Sequence, residues 1–226
     1  MSEEALRGFL SRGDLLAAWL VLAAISCAVL VADLRRNNAH IAPLMKVVWF
    51  LTVLYSGPLG LLIYRYSGRK EIPNDSIWRK GFRSVAHCYS GCGAGEVTGM
   101  MVAVGLLALG SWGAALTTLG FAYVFGYAMT FGPLVQAGTP VRRALIDTFY
   151  ADTATIAVME VTAIGVDLWL AAAATMGDIL FWTSLIVSLT IGLVAAYPVN
   201  LLLIALGVKG GMGDPRDTEG GHAHAD

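Results

Sequence analysis

The residues best equipped for chemistry stand together in "HCYSGCGAGE", residues 87–96 of a 226-residue chain. His87, Cys88, Cys92 and Glu96 supply an imidazole, two thiols and a carboxylate, the groups that hold transition metals. Cys88, Cys92 and Glu96 are spaced i, i+4, i+8, so on a helix they share one face, with His87 about 100° round from Cys88. Two ligands one turn apart can reach a single ion, as in His-Glu-x-x-His sites. Thiols with an imidazole favour copper, zinc or iron over magnesium or calcium. Cys-x3-Cys is not the Cys-x-x-Cys of thioredoxin-like sites. A disulfide across one helical turn is awkward, because it needs converging Cβ vectors. The spacing leans toward metal and leaves thiol redox chemistry open, since a nearby imidazolium or helix N-terminus would activate a thiol. The plainer alternative is packing, with cysteine as a small apolar residue and His87 bonded to a loop carbonyl.

A second group lies in "IDTFYADTATIAVMEVTAIGVD", residues 146–167, where Asp152, Ile156, Glu160, Ala163 and Asp167 follow one helical stripe. An acid at membrane depth costs about 2.5–3.5 kcal/mol on insertion scales and usually faces a bundle interior or an aqueous cavity. If both helices enter from one membrane face, Asp152 lies level with Cys88 or Cys92, and Glu160 level with Glu96 near the midplane. Two close carboxylates need a proton or cation between them, which suits a cation or proton pathway. The plainer alternative is a structural bond from each acid to Tyr, Thr or Arg. Asp167 is expected at the outer interface without a role. Met100 extends the Cys/Glu stripe by one turn, and Tyr197 and Asn200 of "YPVN" are candidate pathway residues, because Pro-broken helices expose carbonyls. "YSGPLG", residues 55–60, is a similar break, and either break could be a simple kink. Met129 and Met159 read as lipid-facing or core filler, and His40 as solvated in a loop. His222 and His224 read as a flexible polar end that could bind metal loosely.

Positioning these groups falls to helices in lipid. Apolar residues make up 57% of the chain and charged residues only 14%, against roughly 25% charged in soluble domains. Net charge is −1, which with no broad basic face leaves nothing to recognise nucleic acid. Three cysteines cannot build a secreted disulfide framework. Uncharged runs of spanning length predict an all-α polytopic membrane bundle of six helices, near residues 15–34, 44–64, 84–109, 114–136, 141–176 and 179–208. The second would kink at Pro58. The first reads as a retained helix, because its start is not net positive and no small-x-small cleavage site follows. Residues 1–209 would form one domain and 210–226 a flexible cytoplasmic tail. Six spans put both termini on one side, with twelve Lys and Arg there against Arg35, Arg36 and Lys46 opposite. By the positive-inside rule both ends would be cytoplasmic. Gly91, Gly95 and Gly99 form a doubled Gly-xxx-Gly, expected to admit a neighbouring helix closely.

Four stretches, "YSGPLGLLIY" (55–64), "SVAHCYSGCGAGE" (84–96), "ADTATIAVMEV" (151–161) and "YPVNLLLIALGVK" (197–209), resemble a family of multi-spanning bacterial membrane proteins known only as domain of unknown function 4396. The resemblance runs from about residue 40 to 212 and excludes the first helix. It implies a helical fold in a bacterial inner membrane and an acid at the position of Glu96, and it supplies no reaction.

The expected function is transport or handling of a transition metal. His87, Cys88 and Cys92 would be first ligands, Asp152 a ligand or orienting group, and Glu96 and Glu160 the midplane relay. The alternatives are a membrane thiol or metal-dependent redox enzyme, and a structural subunit assembled through the glycine face. Copper, zinc or iron is the expected metal, and no organic cofactor motif is present. The expected partners are the lipid bilayer, a metal ion and a second copy of the chain.

Overall fold

In lipid only helices and closed barrels satisfy every backbone polar group, and long uninterrupted apolar runs favour helices. A computed structural model describes residues 3–171 and 174–217, and every regular element among them is helical. In chain order these are α1 (Glu3–Leu10), α2 (Gly13–Arg36), α3 (Pro43–Ser56), α4 (Pro58–Ser67), α5 (Ile77–Met100), a π-helical turn (Met101–Leu106), α6 (Ser111–Gln136), α7 (Val141–Ala171) and α8 (Ile179–Ala205). Four of them, α2, α6, α7 and α8, are long and apolar enough to cross a membrane. Their outward side chains, Val21, Leu116, Val124, Val161 and Val194 among them, give the apolar surface that a bilayer solvates.

The helix expected third is α5, which begins seven residues earlier than expected and lies in the centre of the bundle. It is too polar to qualify by hydropathy, yet it runs antiparallel to α6 along the same depth, Gly91 opposite Gly126 and Gly99 opposite Thr118. At Gly95 an added Cβ would lie 2.5 Å from the carbonyl oxygen of Phe121. This closeness lets α6 seal one side of α5, while α3, α7 and α8 cover the rest.

The second expected span is not one continuous helix. Its two parts, α3 and α4, are about 21 and 15 Å long at 1.5 Å per residue, each short of a ~30 Å core. They fold back as a hairpin. Trp49 meets Tyr64 edge-on at 5.3 Å between ring centres, and Gly68 abuts the same Trp49 ring. The cause is local. Gly57 takes φ +54°, ψ −127°, a conformation open to glycine. Pro58, lacking an N–H, starts a new helix there. The expected kink is thus a reversal.

That reversal leaves the expectation of six through-going helices with both chain ends together unconfirmed. Arg7 of α1 donates to the carbonyl of Trp169, and Thr183 to that of Leu10 (2.9 Å), so α1 caps the end of the bundle where α7 stops and α8 starts. Residues 209–217 lie at the other end. There Arg83 donates to the carbonyl of Met212 (3.2 Å), and the His40 ring meets that of Pro215 (2.7 Å). His40, expected to be solvated at the far side, is therefore beside the C-terminal segment. Residues 210–217, expected to be flexible, are docked, while His222 and His224 lie outside the described residues. Arg7 and Arg12 are the two cationic side chains at the α1 end, and the other thirteen Lys and Arg gather at the opposite end. Some are tied into the fold: buried Arg83 pairs with Asp75 at 2.6 Å, and Asp33 accepts from Tyr64 (2.7 Å) and Arg69 (3.1 Å).

Candidate functional site

Residues 83–93 of α5 are all buried, so their polar side chains must find partners in neighbouring helices. Nearest the cation-rich end, Cys88 of α5 and Asp152 of α7 approach to 3.5 Å between Sγ and Oδ1. Lys209 closes this pair. Its Nζ donates to Asp152 Oδ1 (2.8 Å), Asn200 Oδ1 (3.2 Å) and Cys88 Sγ (3.3 Å). Three ammonium protons thus meet three acceptors. Ser84 donates to the same Asn200 oxygen at 2.8 Å. The ion pair is almost sealed, with side-chain exposures of 6% for Lys209 and 1% for Asp152.

Lys209 reaches this place because α8 ends in a glycine stop. Gly207 has φ +70°, its N–H bonds the carbonyl of Ile204, and the N–H of Val208 bonds that of Leu203. This Schellman motif reverses the chain and aims the second residue beyond it back at the bundle. Composition marks Lys209 only as one more cation beside the membrane. The readable signal is the glycine stop two residues before it.

His87 also reaches α6, its Nε2 3.4 Å from Thr130 Oγ1, while the ring stays within electrostatic range of Asp152 and Lys209. One turn deeper, Cys92 faces the Glu160 carboxylate of α7, and Glu160 in turn interacts with Glu96. Both glutamates are at most 1% exposed. Among the described residues no N–H or O–H donor reaches Glu96 Oε2 or either oxygen of Glu160, which only the Cys92 thiol faces. Eight helical residues, about 12 Å, separate Asp152 from Glu160 along α7. Two layers therefore stand one below the other: Cys88, Asp152, Asn200 and Lys209, then Cys92, Glu96 and Glu160.

The expected ligands separate by neighbour. Cys88 is drawn to Asp152, Cys92 to Glu160 and His87 to Thr130, so His87, Cys88 and Cys92 do not share one point. Among the described residues no three His, Cys, Asp or Glu side chains converge to hold an ion, and an ammonium sits where a metal would lie between Cys88 and Asp152. All three cysteines are free, Cys27 lying apart on α2. Of the expected pathway residues, Asn200 belongs to the upper layer. Tyr197 does not: its ring stacks on Phe82 at 4.1 Å and its hydroxyl donates to the carbonyl of Trp78. Met100 lines a cavity below Glu96. Met159 is buried in the core and Met129 packs against Gly91. Asp167, discounted from the sequence, accepts from Ser184 at 2.8 Å and lines the same cavity as Met100.

A domain of unknown function (DUF4396) matches residues 77–209. That stretch begins with α5 and ends on Lys209, so both polar layers lie inside it, while the α3–α4 hairpin and its "YSGPLGLLIY" lie outside. No curated protein and no solved structure matches the chain.

Proposed function

The chain belongs to the DUF4396 family, and we propose that the bundle its matched residues form is a transporter of transition-metal cations. The observation that carries this reading is the pair Glu96 and Glu160, both buried in one layer of neighbouring helices, with no N–H or O–H donor to three of their oxygens and no lysine or arginine partner among the described residues. Two carboxylates so placed call for a proton or a cation between them, and a divalent ion would match both charges. Thiols beside each layer, Cys92 and Cys88, select a transition metal as cargo over magnesium or calcium. Lys209 fits as a tethered cation: with its ammonium withdrawn, Cys88, Asp152 and Asn200 are left to the cargo.

The test is flux. In vesicles reconstituted with the full chain, zinc, iron(II) or copper(II) is expected to cross faster than in protein-free vesicles, and Glu160→Gln is expected to abolish the difference. No flux above protein-free vesicles for any of the three would overturn the reading.

The reading includes an orientation. The end with thirteen cations faces the cytoplasm by the positive-inside rule, and we place the protein in a bacterial inner membrane. The C-terminus is then inside and α1 outside, an odd number of crossings with the α3–α4 hairpin dipping in from the cytoplasmic face. Reporters fused to the two termini are expected to read opposite compartments. The same reading from both would reject the hairpin.

A further inference from the structure

Below Glu96, at the end of the bundle that carries α1, lies a cavity of about 200 Å³ between α5, the π-helical turn, α6, α7 and the start of α8. Its polar lining includes Glu96, Asp167 and Thr118. Glu96 lines this space, is 1% exposed and has no hydrogen-bond partner for its Oε2 among the described residues, so a buried carboxylate is left open on its wall. Asp167, on α7, also lines it and keeps one oxygen on Ser184. The volume has room for an ion and several waters, since a liquid water takes about 30 Å³. A π-helical turn inside a continuous helix is often found at functional sites, and here it directly follows Met100 on the cavity wall.

We infer that this cavity is a binding site for a borderline divalent cation of the zinc or iron(II) kind, held by Glu96 and Asp167. The inference deepens the transport reading and rests on it for the cargo's direction of travel alone. Donor chemistry narrows the ligand. The charged groups of the cavity are carboxylates, and Met100 supplies one thioether. The next layer adds the Cys92 thiol and the last the Cys88 thiol. A cation that passes from oxygen donors to sulfur donors must accept both. Magnesium and calcium fail at the thiols, and copper(I), which favours thiolate and thioether ligands, fails at the carboxylates. Two carboxylates also match a charge of two.

Cobalt(II) is a suitable probe, because its absorption distinguishes sulfur from oxygen ligands. Titrated into the detergent-purified full chain, it is expected to bind first with an oxygen-only spectrum. Asp167→Asn is expected to weaken that binding at least tenfold, as loss of a ligand or its support does, and Cys27→Ser, on α2 away from the cavity, to leave it in place. Zinc is expected to displace the cobalt and magnesium not to. Unchanged cobalt affinity in both Asp167→Asn and Glu96→Gln would overturn the site, as would a first-bound spectrum with sulfur-to-metal bands. Flux with unchanged affinity in those variants would reject the cavity and keep the transporter. Oxygen-only binding lost in Asp167→Asn, without flux, would keep the cavity and reject the transporter.

Discussion

Lys209→Met is expected to destabilise the folded chain by about 3–5 kcal/mol, the usual cost of leaving one member of a buried ion pair alone. Asp152 is the group left behind, 1% exposed, with Oδ2 already unpartnered and Oδ1 losing its 2.8 Å donor. Methionine keeps the length and apolar stem of lysine, so the loss reports the ammonium and not a cavity. Adding Asp152→Asn to Lys209→Met is expected to restore most of the stability, because a neutral amide leaves no bare charge. Chemical unfolding in mixed micelles gives both numbers and their coupling. A single-variant loss below about 1 kcal/mol, the range of exposed ion pairs, would mean that Lys209 is in water. Simple additivity of the two changes would mean that Lys209 and Asp152 do not meet.

The second large effect is steric. Gly95→Leu is expected to prevent stable folding, and Gly95→Ala to cost about 1–3 kcal/mol, the range for overpacking a filled core. Even the first added carbon would stand 2.5 Å from the Phe121 oxygen and 2.6 Å from Ala122 Cα. Both are backbone atoms, so no side-chain rotation relieves them and α5 must part from α6. Gly120 on α6 is the control: it is exposed, with nothing within 4 Å of an added Cβ. Gly120→Leu should be close to neutral. Equal tolerance at both positions, read from the yield of monodisperse protein, would refute the seam.

Long uncharged runs made α6, α7 and α8 legible within a few residues, because in lipid an apolar run has one regular solution. The seam was legible too, since three glycines at four-residue spacing leave one bare face. The hairpin was not. Gly57-Pro58 serves a kink and a reversal equally well, and the choice rests on the packing of Trp49 on Tyr64 and of Tyr64 on Asp33, which hydropathy does not encode. On that one ambiguity rested the side expected for Arg35, Arg36, Lys46 and His40, and the place expected for the N-terminus. In the site, helical periodicity brought Cys88 level with Asp152 and Glu96 level with Glu160. It could not find Lys209, which is 57 residues from Asp152 and at the end of an apolar helix would ordinarily snorkel to water. His87 went astray for a related reason: a position 100° round the helix is near enough to join a cluster and equally near a competing hydroxyl, here Thr130.

The Lys209–Asp152 tie also bears on biogenesis. A ribosome adding roughly 5–20 residues per second needs about 3–11 s to make the 57 residues that separate the acid from its counter-cation. Throughout that interval α7 exists with Asp152 lacking its counter-cation, so it is poorly suited to release into lipid by itself. Insertion is therefore best served by holding α7 at the translocation machinery until α8 and the glycine stop behind it emerge, making the last two helices a single unit of membrane integration.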